Sequence, residues 1–489
     1  MSSKIHDIIL TKKQKEIFDT FFNDENTRWV LSVGGKGSAK TTVSVYILLT
    51  LFFSEEFRGS KILIARESLR DLKNTLVREF KSYLSKIGLK EDTVYTHHEG
   101  LQVFRNLQTD TEIYYLSLSD RNDQYRSVLS YEFNVVIIDE LDRISEEAFD
   151  EVSQRMRLKH KFIKGLLNLN PVPETHWVFK KFVAKAYPQT KIIHSSTYDN
   201  YLIKKVNSKS FTLKAQEYVT PDGKLYYYIG NVRYEVIGRE GDDFIVKEFN
   251  LAHSFFVEME HKNYAFRRVM LEGQWGSYNV SDGIYTMYFT EKHISSDVIT
   301  PKDLMIYYKL YAGFDFGVRR PAFVLIAQDE WGRYIVIDEI LGEDISSINF
   351  VEMIRKRLRE RWKLDIYDVE IYGDIAGSFR EQGDGLSIIQ KIREQYGINI
   401  KTQKVKVLDS IIRIRQLLEK EIANVPMLRI DQNCKMMLAG MLGEFKMDEY
   451  GKPIKDNYYE HIHDAFRYGI MGALKHSNHS TLKVYTPEY

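Results

Sequence analysis

Short apolar runs alternate with helical periodicity over the first 200 residues of this chain. Trp29 to Val33 is an apolar strand, Thr41 to Phe53 a buried helix, and Lys61 to Ala65 a second strand. Leu69, Leu72, Leu76, Phe80 and Leu84 then repeat at helical spacing behind a Ser68/Asp71 capping signal. Four β-branched residues, Val135 to Ile138, make a further strand. Buried strands separated by helices predict a parallel α/β sheet up to about residue 200. The pattern then changes. Phe211 to Phe249 alternates aromatic and polar positions between turn signals (Pro221-Asp222-Gly223, Gly230-Asn231, Gly241-Asp242-Asp243), which predicts a small antiparallel meander inserted over residues 205–252.

The last part of the chain has a third rhythm. Three strands, Tyr311 to Phe316, Ala322 to Gln328 and Tyr334 to Glu339, precede a helix (Ser347 to Trp362) and another strand (Val369 to Gly373). The order β-β-β-α-β-α predicts a ribonuclease H-like sheet, in which the first and fourth strands are neighbours. The expected organisation is a first α/β domain over 1–285 that carries the meander, a linker over 286–305, a second α/β domain over 306–478 and a tail over 479–489.

Composition narrows the class only slightly. At 489 residues the chain has room for two or three cores, with 44% hydrophobic and 28% charged residues. A net charge of +1 leaves no global basic field, so any nucleic-acid surface must be local. The single cysteine, Cys434, excludes an intrachain disulfide and suits a reducing compartment. The Val43–Phe53 run is too short to cross a bilayer, and the first residues carry no signal-peptide pattern. A soluble, intracellular protein without a membrane partner is expected.

Two sets of chemistry stand out. Gly34-Gly35-Lys36-Gly37-Ser38-Ala39-Lys40-Thr41 follows the first strand and opens a helix. Small residues there let successive backbone N–H groups wrap phosphates, Lys40 supplies a counter-charge, and Thr41 offers a hydroxyl to Mg²⁺. Ala39 stands where the strict pattern has glycine. The strand Val135 to Ile138 delivers Asp139, a candidate Mg²⁺ ligand through water, and Glu140, a candidate for orienting the attacking water. Lys36 and Arg126 are candidates for the cation that stabilises transferred-phosphate charge, Arg126 from a neighbouring subunit. Gln14 and Arg66 are candidates beside the adenine, although each by itself reads as a surface residue; Asp142 and Arg143 read as a solvated helix start.

The second set comprises Asp315, Asp374 and Asp464. Asp315 sits mid-strand between aromatics, Asp374 ends the strand Val369 to Gly373, and Asp464 lies on a helix beginning near His463. Three converging carboxylates repel one another unless divalent cations, Mg²⁺ or Mn²⁺, lie among them and activate water. His461 and His463 read as surface or capping residues. Arg319, Arg320, Lys404 and Lys406 are candidate phosphate contacts.

With both sets in view, the chain resembles the large terminase subunit of tailed double-stranded DNA bacteriophages. The resemblance rests on the Gly34–Thr41 loop, Ile138-Asp139-Glu140, Leu169-Asn170-Pro171 with Thr175-His176-Trp177, Leu271 to Gly276, Phe314 to Gly317, Gly373-Asp374 and His463 to Tyr468. It implies an ATP-driven motor that threads double-stranded DNA through a portal protein into a procapsid. It also implies a nuclease that cuts the concatemer, a homo-oligomeric ring, a small terminase subunit as partner, and a place in the host cytoplasm. The meander matches no motif of the family. The rival readings are a helicase or repair ATPase fused to a nuclease, a C-terminal half that only docks, and a small-molecule kinase. The last leaves the final 180 residues unexplained.

Overall fold

The computed structural model describes residues 9–276, 283–317, 319–378, 386–402, 406–448, 452–455 and 458–477. The expectations for Lys404 and for the tail 479–489 fall outside these residues. The chain divides into two compact units, Met1–Lys262 with Phe266–Gly276, and Asn263–Ala265 with Ser277–Tyr489.

The first unit is built on eight strands: β1 (Trp29–Gly34), β2 (Lys61–Arg66), β3 (Tyr95–His98), β4 (Val103–Asn106), β5 (Glu112–Ser117), β6 (Val135–Ile138), β7 (Lys164–Leu169) and β8 (Thr190–Ser195). Their order is β3-β4-β5-β2-β6-β7-β1-β8. From β5 to β8 every pairing is parallel, as the doubly apolar strands predict, while β3 and β4 add an antiparallel hairpin at one edge. Helices Lys12–Asn23 and Lys40–Phe53 pack Ile17, Phe21, Leu48 and Phe52 on one face; Phe149 and Val152 cover the other. The register pairs Ala65 with Ile138, Ile138 with Leu167 and Val33 with Leu169. The carboxyl ends of β1, β2, β6 and β7 therefore open on one edge, where ligands bind in open α/β sheets.

The same unit carries an antiparallel sheet of β9 (Tyr201–Asn207), β10 (Gln216–Val219), β11 (Leu225–Ile229), β12 (Val232–Glu240) and β13 (Asp243–Ala252), in the order β10-β11-β12-β13-β9. Its anchor is Arg233, fully buried and forked onto Glu260 at 2.5 and 2.9 Å. The rings of Tyr218, Tyr226 and Phe256 lie 4.9, 4.6 and 4.5 Å from the guanidinium. Neither charge is tolerable there without the other, so this pair ties the sheet to the helix His253–Glu260.

The second unit holds β14 (Ile294–Ser295), β15 (Lys309–Asp315), β16 (Ala322–Gln328), β17 (Tyr334–Leu341), β18 (Glu370–Gly373) and β19 (Ile400–Thr402). A two-stranded ribbon, β20 (Glu421–Ile422) and β21 (Val425–Pro426), precedes β22 (Leu428–Asp431). The seven-stranded order is β14-β22-β17-β16-β15-β18-β19, so the first and fourth long strands, β15 and β18, are parallel neighbours as expected. Residues 286–305, expected as a connector, instead contain β14, which pairs Ile294 with Ile430, and most of the helix Pro301–Tyr307, capped by Thr300. Among the described residues, no helix is long and apolar enough to cross a membrane.

The helix Tyr459–Ser477 crosses β15 in backbone contact. A Cβ on Gly313 would lie 1.6 Å from the Ala465 carbonyl oxygen, and one on Gly469 would lie 2.7 Å from the Gly313 nitrogen. Only glycine at both positions permits this approach.

Candidate functional site

At the carboxyl edge of the first sheet, Gly37 turns with φ +74° and Ala39 adopts a left-handed conformation with φ 64°. That is the position where the strict pattern has glycine, and alanine accepts it at a cost of about 1 kcal/mol. The helix Lys40–Phe53 starts without a side-chain cap, so its first N–H groups face the loop with the positive end of the helix dipole behind them. Lys40 donates to the carbonyls of Gly34 (2.5 Å) and Gly35 (3.1 Å) and to the Ser38 hydroxyl (3.2 Å). Burial pulls its ammonium down to about 8, against the opposing fields of Asp139, Asp142 and Glu140. Thr41 occupies the first turn of the helix. Loop, lysine, hydroxyl and acids thus share one edge, and their chemistry fits a nucleoside triphosphate with a hard cation.

Arg66 and Gln14 correct the surface reading. Arg66, buried at the end of β2, donates to Asp139 Oδ2 from two nitrogens at 3.0 and 2.7 Å and reaches Glu140 Oε1 at 3.2 Å. The Ala65–Ile138 register places Arg66 directly beside Asp139, which was the signal to look for. The other Asp139 oxygen accepts from Asn168 at 3.3 Å. Glu140 takes a left-handed backbone (φ 59°), and its carboxyl is raised mainly by burial. Gln14, also buried, donates to the Ala39 carbonyl at 3.3 Å and so holds the loop; it is the capping partner of Thr11.

Asp142 is not a solvated helix start either. Its carboxylate accepts from the Asn170 N–H at 3.1 Å, and burial raises it. The strand end bearing Asp139 and Glu140 is thereby tied to Leu169-Asn170-Pro171. Trp177 Nε1 donates to the Ile144 carbonyl at 2.8 Å, a second tie to the same segment. Lys36 keeps its side chain exposed, its Nζ 6.0 Å from the Phe266 ring, while its N–H donates to the Met270 carbonyl. Arg126 lies exposed on a 3₁₀ segment, 3.8 Å from Asp123.

The loop is also braced by residues that no motif flagged. Thr197 donates to the Lys36 carbonyl at 2.6 Å, and Asn200 donates to the Gly37 carbonyl at 2.7 Å. Gly35 lies so close to Met270 that a Cβ would sit 2.3 Å from its carbonyl oxygen. The segment Leu271 to Gly276 therefore borders the loop.

In the second unit, the pairing of Phe314 with Gly373 puts the next residues, Asp315 and Asp374, side by side at the strand ends. The helix held against β15 by Gly313 and Gly469 brings Asp464 to the same end. Burial raises the Asp315 carboxyl, and the charges of Asp464 and Asp374 raise it further. All three aspartates also push up the Tyr468 hydroxyl, whose largest cause is burial. His461 corrects the surface reading: its Nδ1 is 2.6 Å from Asp315 Oδ2, and that contact raises the imidazole. His463 is a core residue, stacked on Phe445 at 4.6 Å and pulled down by burial to about 3.

The donor set, three carboxylates at one strand end, suits an oxygen-preferring divalent cation. The ligand geometry is not assembled: among the described residues, no group of three or more His, Cys, Asp or Glu is arranged to hold a metal ion. Asp315 is turned onto His461, and Asp464 accepts from Arg467 at 3.2 and 2.9 Å. Asp338 and Glu339 have structural roles. Asp338 accepts from Arg357, Arg361 and Trp362, and Glu339 accepts from the N–H groups of Met436 and Met437.

Residues 26–228 match the family described as phage terminase large subunit. Among solved structures, the large terminase of a thermophilic bacteriophage in complex with ADP is similar at 16% identity. That likeness covers 94% of this chain and 98% of the other, with a TM-score of 0.40. The large terminase of bacteriophage HK97 is similar at 12% identity, over 95% of each chain, with a TM-score of 0.36. At these scores neither likeness carries weight for function. No curated protein matches the chain.

Proposed function

We propose that this chain, whose residues 26–228 match the phage terminase large subunit family, is a DNA-packaging enzyme with two active centres. The first unit hydrolyses ATP to drive double-stranded DNA through a portal into a procapsid; the second cuts the concatemer. The observation that carries this proposal is the presence, in one chain, of two sheets that each gather acids at a strand end. One of those ends faces a phosphate-type loop.

In the ATPase centre the N–H groups of Gly37 to Lys40 and the Lys40 ammonium hold the phosphates, and Thr41 and Asp139, the latter through water, would hold Mg²⁺. Bound Mg²⁺ would neutralise charge on the phosphate oxygens. Glu140 orients the attacking water, and Arg66, bridging Asp139 and Glu140, keeps both carboxylates aimed. Gln14 fixes the Ala39 end of the loop. The exposed Arg126 acts across a subunit boundary, which makes turnover depend on a homo-oligomeric ring. In the nuclease centre Asp315, Asp374 and Asp464 hold Mg²⁺ or Mn²⁺, with His461 positioning Asp315. Arg319, Arg320 and Lys406 contact DNA phosphates, so binding is sensitive to salt and tolerant of sequence. The partners are duplex DNA, the portal, a small terminase subunit and further copies of this chain at the procapsid in the host cytoplasm.

The test is cleavage of linear and circular duplex with Mg²⁺ or Mn²⁺, alongside ATP turnover. Lys40→Ala is expected to abolish turnover and keep cutting, and Asp315→Ala the reverse. Cutting by Asp315→Ala at the wild-type rate contradicts the nuclease assignment, and ATP turnover by Lys40→Ala contradicts the ATPase assignment. Strand separation of a forked duplex coupled to ATP turnover replaces packaging by a helicase.

A further inference from the structure

The antiparallel sheet β9–β13 supplies none of the residues of the Gly34–Thr41 loop or the acidic strand end, yet its last strand ends at the phosphate loop. Asn250, near the end of β13, donates from Nδ2 to Asn200 Oδ1 at 2.8 Å, and its backbone N–H donates to the Asn200 carbonyl at 3.0 Å. Asn200, buried, in turn donates from Nδ2 to the Gly37 carbonyl at 2.7 Å. The next residue of the strand, Leu251, lies over the same glycine: a Cβ on Gly37 would be 2.5 Å from Leu251 Cδ1. We infer that this sheet is a brace for the phosphate loop, with Asn200 and Asn250 as positioning residues for nucleotide binding; the inference rests on the reading of Gly34–Thr41 as that loop.

The orientations of the two amides follow from the acceptor at the end of the chain. A backbone carbonyl only accepts, so the Asn200 amide must turn its NH₂ to Gly37, leaving its oxygen for the NH₂ of Asn250. The peptide between Gly37 and Ser38 is planar and trans, so fixing its carbonyl on one side fixes the Ser38 N–H on the other. That N–H points into the loop, 3.3 Å from the Gly35 carbonyl. Gly37 is where the loop is least restrained by its own chemistry, because it has no side chain and a positive φ. A brace has its largest effect at such a residue. Thr197, one turn before Asn200, holds the preceding carbonyl, Lys36, in the same way. The sheet bearing Asn250 is itself fixed by the buried Arg233–Glu260 fork, so the restraint has a rigid base.

A merely structural role for Asn250 predicts lower stability with unchanged nucleotide affinity. A positioning role predicts weaker binding through Asn200. The test titrates fluorescently labelled ADP with Mg²⁺ into the full chain, well below the melting temperature, for wild type, Asn250→Ala, Asn200→Ala and the double variant. Each single change is expected to raise Kd about fivefold, the effect of one buried hydrogen bond. The double variant should bind no more weakly than Asn200→Ala, because Asn250 acts through it. Asn200→Asp keeps the acceptor toward Asn250 but sets an acid against the Gly37 carbonyl, and should bind more weakly than Asn200→Ala.

A wild-type Kd in Asn250→Ala overturns the brace, as do single effects that multiply in the double variant. If Asn250→Ala does not fold, Leu251→Ala takes its place: a raised Kd supports the brace and a wild-type Kd overturns it. A wild-type chain that binds no ADP overturns the phosphate-loop reading and the brace with it. A Kd unchanged only in Asn250→Ala and Leu251→Ala overturns the brace alone.

Discussion

Replacing Gly469 by alanine tests whether the approach of a helix to a strand sets the proposed nuclease centre. The added Cβ would lie 2.7 Å from the Gly313 nitrogen, 2.9 Å from the Ala312 carbonyl carbon and 3.0 Å from Ile326 Cδ1. The first two atoms are backbone in the middle of a sheet and cannot turn aside. The helix Tyr459–Ser477 must therefore back away by roughly 0.5–1 Å to restore ordinary contact distances. Overpacking of this kind costs about 1–3 kcal/mol. Alanine recovers about 1 kcal/mol of helix propensity relative to glycine. The net loss is about 0–2 kcal/mol, a fall in melting temperature of at most about 8 °C at roughly 2–4 °C per kcal/mol for a unit of this size. The protein should thus remain folded at assay temperature. Function should suffer more. Asp464 rides on the same helix, and a displacement near 1 Å in a reacting constellation costs about 100-fold in rate. The assay is metal-dependent relaxation of supercoiled plasmid by Gly469→Ala, with ATP turnover and thermal melting measured on the same preparation. Cutting within about threefold of wild type in a folded variant would refute the claim that this backbone contact positions Asp464.

Arg66→Lys should lower kcat for ATP at least about tenfold while leaving nucleotide Kd nearly unchanged, because lysine cannot fork between Asp139 and Glu140. Steady-state kinetics beside equilibrium ADP binding check this, and an unchanged kcat rejects the role given to Arg66. Mixing Arg126→Ala with Glu140→Gln protein, each inactive alone, should restore some ATP turnover in mixed rings if Arg126 serves a neighbour; no recovery at any ratio counts against it. Asp142→Asn should loosen the tie to Asn170 and uncouple the motor. ATP turnover is expected to persist while packaging of duplex into procapsids falls, and equal loss of both would place Asp142 in the hydrolytic step instead.

The fold was legible wherever a strong local pattern coincided with burial. The apolar runs at β1, β2 and β6 and the aromatic alternation of β10–β13 need no distant partner to be recognised. The β15–β18 pairing follows from strand order alone. What sequence reasoning missed were polar residues whose partners are remote. Arg66 and Asp139 are 73 positions apart, and His461 and Asp315 are 146 apart. A charged or imidazole side chain in a polar neighbourhood reads as a surface residue until its buried counterpart is known. Asn200 and Thr197 left no trace because their acceptors are backbone carbonyls, which every residue provides. The segment 286–305 read as a connector because β14 is only two residues long.

The central claim is that Asp315, Asp374 and Asp464 hold a common divalent ion on a sheet separate from the ATPase centre. Its most direct test is Mn²⁺ binding followed by electron paramagnetic resonance in a Lys40→Ala, Thr41→Ala background, which silences the first centre. Mn²⁺ should bind this protein, and Asp315→Asn, Asp374→Asn and Asp464→Asn should each weaken that binding severalfold or more. Undiminished Mn²⁺ affinity in any one of the three folded variants would contradict the shared site.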